Sequence, residues 1–198
     1  TSRNLEIAEI LEDMIEPVMA IQSMEQEVLA NIKRNNISFD TYVKYQKRFH
    51  SIGSSTNSDL IIPLPGETFE THLKGLRKLF DMGVDNIQNH NMRMLAGSEI
   101  YSSKVRKKYN FKTKYRLIHG DSGCYETPDG KEIKSFEVEE SLRSTNDMSE
   151  QEVFSLREIH FLIEFAWNFQ IYFDLLKFAK KFEINQLDII LNFLKNGK

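Results

Sequence analysis

Cysteine is nearly absent from this sequence, since Cys124 is the single one in 198 residues. One cysteine excludes an intramolecular disulfide and any metal site built only from cysteines of this chain, and it fits a reducing compartment. Basic residues are not in excess either, with 26 Lys and Arg against 29 Asp and Glu. Charge therefore gives no reason to expect a nucleic acid or an anionic membrane as a partner, and we expect a cytoplasmic protein.

Several targeting and motif signals are also missing. No secretory signal peptide is visible, and the apolar C-terminal stretch carries Glu164 and Asp174, which argues against a membrane span. No phosphate-cradling glycine loop and no nucleophile elbow is present. The chain starts with Thr1 rather than Met and runs directly into a helical pattern. We therefore expect it to be part of a longer polypeptide.

Strands and helices are predicted to alternate through the first hundred residues. Apolar runs predict strands, and apolar residues at helical spacing predict helices. The predicted strands cover 17–21, 60–62 and 84–92. The predicted helices cover 4–16, 25–33, the segment between Ser38 and Gly53, and 69–82. This alternation predicts an α/β protein with a parallel sheet, in a barrel or a doubly wound arrangement.

The segment 58–68, Ser-Asp-Leu-Ile-Ile-Pro-Leu-Pro-Gly-Glu-Thr, joins a buried strand to an amphipathic helix. Pro63 and Pro65 prevent the strand from continuing as a central strand. The loop therefore follows the carboxyl end of a parallel strand, where open sheets and barrels bind their ligands.

The segment after residue 100 has a different character. Residues 104–116 are locally basic, which indicates either a solvated face or an anion-binding surface, and the sequence alone favours the solvated face. Residues 115–118 and 133–138 lie on either side of a Pro-Asp-Gly turn and predict a hairpin or an extended excursion.

The C-terminal part is predicted to be helical. Ser149 and Glu152 form a capping-box pattern that predicts a helix from 149 to about 181. Asn185 is expected to cap a last helix over 186–194.

Three polar residues near predicted strand ends could hold a zwitterionic ligand. Arg34 suits a carboxylate, Asp59 suits an ammonium group, and Gln22 can serve either. A surface arginine and a strand-start aspartate are the alternative, which spacing alone favours. His90 is likewise a candidate base or ligand, but a single histidine is more often structural.

Three groups of residues resemble a known family in their order and spacing. They are Ala-Ile-Gln-Ser at 20–23 with Val-Leu-Ala-Asn-Ile-Lys-Arg at 28–34, the Asp-Leu-Ile-Ile-Pro-Leu-Pro-Gly-Glu-Thr turn at 59–68, and Met-Leu-Ala-Gly-Ser-Glu at 94–99. Together they resemble the second half of a radical S-adenosylmethionine (radical SAM) barrel. More weakly, 115–118, 136–140, 145–149 and Arg157 are similar to the segment after the barrel in cobalamin-binding members.

The resemblance implies a partial (β/α) barrel over 1–109 and a hairpin with a mostly helical extension over 110–198. It implies S-adenosylmethionine as a cofactor, with Gln22, Arg34 and Asp59 matching residues that bind its amino-acid end or ribose. The candidate cofactor-binding set is Gln22, Ser23, Arg34, Asp59, Ile61, Pro63, His90 and Met92.

The remaining cofactors and partners would lie outside this chain. The resemblance implies a [4Fe-4S] cluster held by an upstream three-cysteine loop, radical chemistry on an unidentified small-molecule substrate, and an electron donor. It leaves open whether cobalamin is bound in a separate upstream domain. The missing N-terminal half of the barrel is a further expected partner, and this chain alone is expected to be inactive.

Two positions depart from the family pattern. Pro63 stands where Gly is usual and removes a backbone donor near the expected adenine site, and Ala96 stands where Pro is usual. A non-catalytic binding module derived from such a barrel and an ordinary parallel-barrel lyase remain alternatives.

Overall fold

A small parallel sheet lies at the centre of the protein. The computed structural model describes residues 18–196 and four isolated residues before them, so the helix predicted over 4–16 lies outside the continuously described part. Strands β1 (Asn57–Ile62) and β2 (Asn86–Asn91) pair in parallel, with Ile61 opposite His90. Residues 18–22 run parallel to β1 along its other edge, with bridges near both ends. The predicted mixed α/β class with a parallel sheet is confirmed.

Three helices begin at a side-chain cap, and one of these caps, Ser149, was predicted from the capping-box pattern. Ser38, Thr68 and Ser149 each accept a hydrogen bond from the backbone N–H three residues on, which satisfies a donor that the first helical turn leaves free. The helices are α1 (Gln26–Asn31), α2 (Phe39–Ser51), α3 (Phe69–Met82), α4 (Ser103–Lys108), α5 (Glu150–Ile163), α6 (Phe173–Lys180) and α7 (Gln186–Asn196).

The two faces of the sheet have different surroundings. Leu60, Ile62 and Ile87 are buried in one core with the apolar faces of α3 and α5. Alternation along a strand directs the intervening residues of β1, Asp59 and Ile61, to the opposite face. That second face is only partly covered, because both residues keep some exposure. The helices therefore cover one face and leave the other accessible to ligands.

A long hairpin follows the sheet, as the sequence predicted. Strands β3 (Lys112–Glu126) and β4 (Glu132–Ser144) are antiparallel, with Arg116 opposite Glu139. Arg93, just after β2, bridges to Ser141 of β4, and the N–H of Met94 donates to the carbonyl of Glu140 at 2.8 Å. The hairpin thus joins the carboxyl end of the parallel sheet.

The single helix predicted from 149 to 181 is wrong. Helix α5 ends at Ile163 and continues as a π-helical turn (Glu164–Asn168), after which the chain bends before α6. The bend places Asn168 where its side chain forms hydrogen bonds with the backbone of Ile87 in β2. The Asn168 side chain accepts from the Ile87 N–H at 3.0 Å and donates to the Ile87 carbonyl at 2.9 Å. Trp167 Nε1 donates to the Val84 carbonyl at 3.1 Å. Among the described residues, no helix is long and apolar enough to cross a membrane.

Candidate functional site

A cleft of about 670 Å³ lies where the parallel segments end. Its lining includes four of the candidate residues, which are Gln22, Arg34, Ile61 and Met92. They come from the ends of residues 18–22, β1 and β2 and from the segment after α1. We call this the strand-end cleft. The carboxyl ends of parallel strands are where α/β proteins bind their ligands, so the location is that of a binding site.

Gln22 occupies the first of these strand ends in an unusual backbone conformation. Its φ of 54° lies in the left-handed region, which costs energy for a residue other than glycine. The backbone hydrogen bonds with β1 hold it there, since its N–H donates to the Asp59 carbonyl at 2.9 Å and its carbonyl accepts from the Ile61 N–H at 3.0 Å. Its Oε1 is buried and has no hydrogen-bond partner in the described part of the protein. A ligand donor in the cleft would satisfy it.

Arg34 lies at the rim of the same cleft. Its Nη2 donates to the Ala20 carbonyl at 2.8 Å and its Nε to Asn36 Oδ1 at 3.1 Å. These two bonds orient the guanidinium and use two of its five N–H donors, so others remain for an anion. Lys33 and Glu99 form an exposed ion pair of 2.7 Å beside it. The rim therefore offers both a cation and a carboxylate.

Ser23 lies behind the cleft in a buried polar network. Its Oγ donates to Glu67 Oε1 at 2.9 Å, and His72 Nδ1 lies 3.3 Å from the same oxygen. The Nε2 atoms of His72 and His160 are 2.8 Å apart. Burial lowers the pKa of His160 well below 6.5, and the neighbouring His72 lowers it further. The network ties the strand end at Ser23 to α3 and α5, so Ser23 supports the cleft rather than lining it.

The other candidates lie outside the strand-end cleft. His90 Nε2 is 3.9 Å from Asp59 Oδ1 on the uncovered face of the sheet. Pro63 is buried after a cis peptide bond with Ile62 and does not line the cleft.

A second cleft of about 440 Å³ adjoins the first. Ile61 and Met92 line both clefts and form the boundary between them. The second cleft also contains His90, Arg93 and Arg116. We call it the β2 cleft. Two adjoining clefts can hold two ligands side by side.

Sequence reasoning missed several residues of the strand-end cleft. Asn31 is one of them: its amide donates to the Pro65 carbonyl at 3.1 Å, and its Oδ1 accepts from Tyr109 Oη at 3.0 Å. A Cβ at Gly66, where φ is 86°, would lie 2.6 Å from Asn31 Nδ2. The Pro-Gly turn was therefore a usable signal, because only glycine permits both this backbone conformation and this close approach. Nothing in the sequence linked it to Asn31.

The residues described here do not fit an iron–sulfur cluster. Cys124 is exposed on β3, and the described part of the chain has no group of three His, Cys, Asp or Glu that could hold a metal ion. Such a cluster needs several thiolate ligands. The strand-end cleft combines the buried, unpartnered oxygen of Gln22 with the guanidinium of Arg34, an acceptor and a cation that suit a zwitterionic ligand.

Comparison with known proteins finds two distant relatives of part of this chain. No protein-family profile matches the chain. Over 131 residues, 66% of the chain, it is 27% identical to the cobalamin-dependent radical SAM methyltransferase TokK of Streptomyces tokunonensis, of which the match covers 18%. Over 135 residues, 68% of the chain, it is 27% identical to the 2-(S-pantetheinyl)-carbapenam-3-carboxylate methyltransferase of Streptantibioticus cattleyicolor, of which 19% is covered.

This similarity is distant and partial. The chain spans about one fifth of the length of these curated relatives. Over about two thirds of its own length, the similarity fits the radical SAM relation that the sequence predicted.

Proposed function

We propose that this chain is the S-adenosylmethionine-binding half of a radical SAM methyltransferase that also uses cobalamin. One observation carries the proposal: Gln22, Arg34, Ile61 and Met92, which the family resemblance selected, line a single cleft at the ends of parallel segments. The distant similarity to a cobalamin-dependent radical SAM methyltransferase supports the same conclusion.

The chemistry of the cleft matches the amino-acid end and ribose of S-adenosylmethionine. Arg34 pairs with the carboxylate of the ligand, and Glu99, which also lines the cleft, suits its ammonium group. The free oxygen of Gln22 accepts from a ribose hydroxyl or from the ammonium group. Asp59 lies outside this cleft, next to His90 of the β2 cleft, and we assign both residues to the binding of the substrate.

The division of labour follows from what the chain lacks. The cluster and cobalamin supply the radical and methyl-transfer chemistry when bound, and this chain binds and orients S-adenosylmethionine. With one cysteine, the chain needs cluster ligands from outside its own sequence. We propose that they belong to an upstream part of a longer polypeptide, together with the other half of a partial barrel. An electron donor and a small-molecule substrate complete the system.

The test uses the complete polypeptide, reconstituted with iron and sulfide without oxygen. With a reductant and S-adenosylmethionine, we expect formation of 5′-deoxyadenosine or S-adenosylhomocysteine, measured by mass spectrometry. Lys44→Ala, an exposed change on α2, serves as the control and should retain full turnover.

Two results would contradict the proposal in different ways. Binding of S-adenosylmethionine without any turnover would favour the non-catalytic binding module. Absence of binding in calorimetry would remove the S-adenosylmethionine site altogether.

A further inference from the structure

Five cationic side chains form a group of which two, Arg93 and Arg116, line the β2 cleft. They come from the segment after β2, from one face of the β3–β4 hairpin and from α5. We call them the cationic group, and its members are Arg93, Lys114, Arg116, Arg143 and Arg157. The sequence showed only part of this set, as a basic stretch with no defined partner.

Two carboxylates neutralise only part of this charge. Glu139 contacts both Arg116 Nε and Arg93 Nε, the latter at 2.9 Å but without the alignment of a hydrogen bond. Glu150 Oε1 forms ion pairs with Lys114 Nζ at 2.9 Å and with Arg143 Nε at 3.3 Å. Within the described residues, no other carboxylate is within ion-pair distance of the five cations. Five positive charges against two negative charges leave an excess of three.

Arg157 is the member of the group without a carboxylate. Its Nε donates to Asn91 Oδ1 at 2.9 Å, and its guanidinium lies 5.5 Å from the Phe154 ring centroid. Burial lowers its pKa, the positive charges of Arg143 and Arg116 lower it further, and the carboxylate of Glu150 offsets a small part of this. A partly buried cation among like charges is costly, and an anion placed beside it would offset that cost.

The cationic group is connected to the β2 cleft through the residues that line it. Arg93 and Arg116 line the cleft directly, and Asn91, which Arg157 holds, lines it as well. The cleft adjoins the strand-end cleft across Ile61 and Met92. An anionic ligand bound there would lie next to whatever occupies the strand-end cleft.

We propose that the cationic group binds a carboxylate of the small-molecule substrate, which occupies the β2 cleft. This inference rests on the proposed function, because it takes the strand-end cleft as the S-adenosylmethionine site. A concave cleft of about 440 Å³ suits a small molecule. The overall net charge of −3 gives the protein no general attraction for a polyanion. Guanidinium groups suit a carboxylate because their paired N–H donors match its two oxygens.

The experiment uses succinate as an anionic probe and succinamide as its neutral counterpart. Both are titrated into the complete polypeptide and followed by saturation-transfer NMR, which detects weak ligands of a large protein. We expect saturable binding of succinate and none of succinamide. Arg116→Gln and Arg157→Gln should each weaken succinate binding by roughly tenfold, as expected for loss of one charge-assisted contact.

Lys131→Gln is the matched control. It removes one positive charge from the same hairpin, in the turn between β3 and β4, and should leave succinate binding unchanged. Equal weakening in the Lys131 variant would show a general charge effect and overturn the proposal. Unchanged affinity in both arginine variants, or no saturable binding of succinate to the wild-type protein, would overturn it as well.

Affinity for S-adenosylmethionine, measured on the same samples, separates the two proposals. Loss of succinate binding in the arginine variants with S-adenosylmethionine binding intact is the expected pattern. A protein that binds succinate at these arginines but never binds S-adenosylmethionine would leave an anion site and refute the proposed function alone.

Discussion

Replacing Arg34 by alanine is the most direct perturbation of the strand-end cleft. The guanidinium is oriented by the Ala20 carbonyl at 2.8 Å and by Asn36 at 3.1 Å, so little further ordering is needed when a ligand carboxylate arrives. A hydrogen bond to a charged group contributes about 1.5–3 kcal/mol. We therefore expect Arg34→Ala to raise the Kd for S-adenosylmethionine roughly 10- to 150-fold.

Two further variants show whether position or charge matters at this rim. Arg34→Lys keeps the charge but loses the two-pronged donor, so its Kd should lie between those of the wild type and Arg34→Ala. Lys33→Ala removes the neighbouring cation, which is 71% exposed and paired with Glu99. Exposed pairs contribute no more than about 1 kcal/mol, so its effect should stay below about fivefold.

The assay is isothermal titration calorimetry on the complete polypeptide, with S-adenosylhomocysteine as a non-reactive ligand beside S-adenosylmethionine. Thermal unfolding of each variant confirms that the fold is retained, because Arg34 is exposed and its loss should shift Tm little. Equal Kd values for the wild type and Arg34→Ala would remove Arg34 from the site. The same Kd for Arg34→Ala and Lys33→Ala would reduce its role to general charge.

Two predictions concern the core and its pH dependence. Phe80 is fully buried, and its ring centroid lies 5.3 Å from that of Trp167. Phe80→Ala should therefore lower the free energy of unfolding, measured by urea titration, by about 3–5 kcal/mol. Phe193→Ala, at an exposed position, should change it by less than about 0.5 kcal/mol. Burial lowers the pKa of His160 below 6.5, so below pH 6.5 the unfolded chain binds a proton that the folded state does not. The free energy of unfolding should therefore decrease as the pH is lowered, by up to about 1.4 kcal/mol per pH unit. His160→Gln should reduce this slope, and parallel stability curves for the variant and the wild type would contradict the assignment.

Local sequence signals were sufficient for the elements next to the site. The cap at Ser149 acts through hydrogen bonds with Glu152, three positions away, so it is visible in a short window of sequence. The buried strand ending at Pro63 and the helix after the Pro-Gly turn follow from the same kind of short-range pattern. These elements define where parallel strands end, and therefore where a ligand site is expected.

Long-range contacts were the ones that sequence patterns missed. The bend after Ile163 depends on the hydrogen bonds between Asn168 and the backbone of Ile87. The role of the basic stretch depends on the fold, which brings Arg116 close enough to Arg157 for their charges to interact. In both cases, the partners lie far apart in the sequence and share no local motif.

The sequence by itself determined the α/β fold class, because the alternating strand and helix patterns and the 59–68 turn depend on backbone geometry and burial within a few residues. It also carried the candidates Gln22, Arg34 and Asp59. Only the tertiary structure separated them, bringing Gln22 and Arg34 into one cleft and leaving Asp59 beside His90 outside it. The physical reason is the pairing of strands: hydrogen bonds between residues 18–22 and β1 decide which side chains share a strand end, and residue spacing does not encode that register.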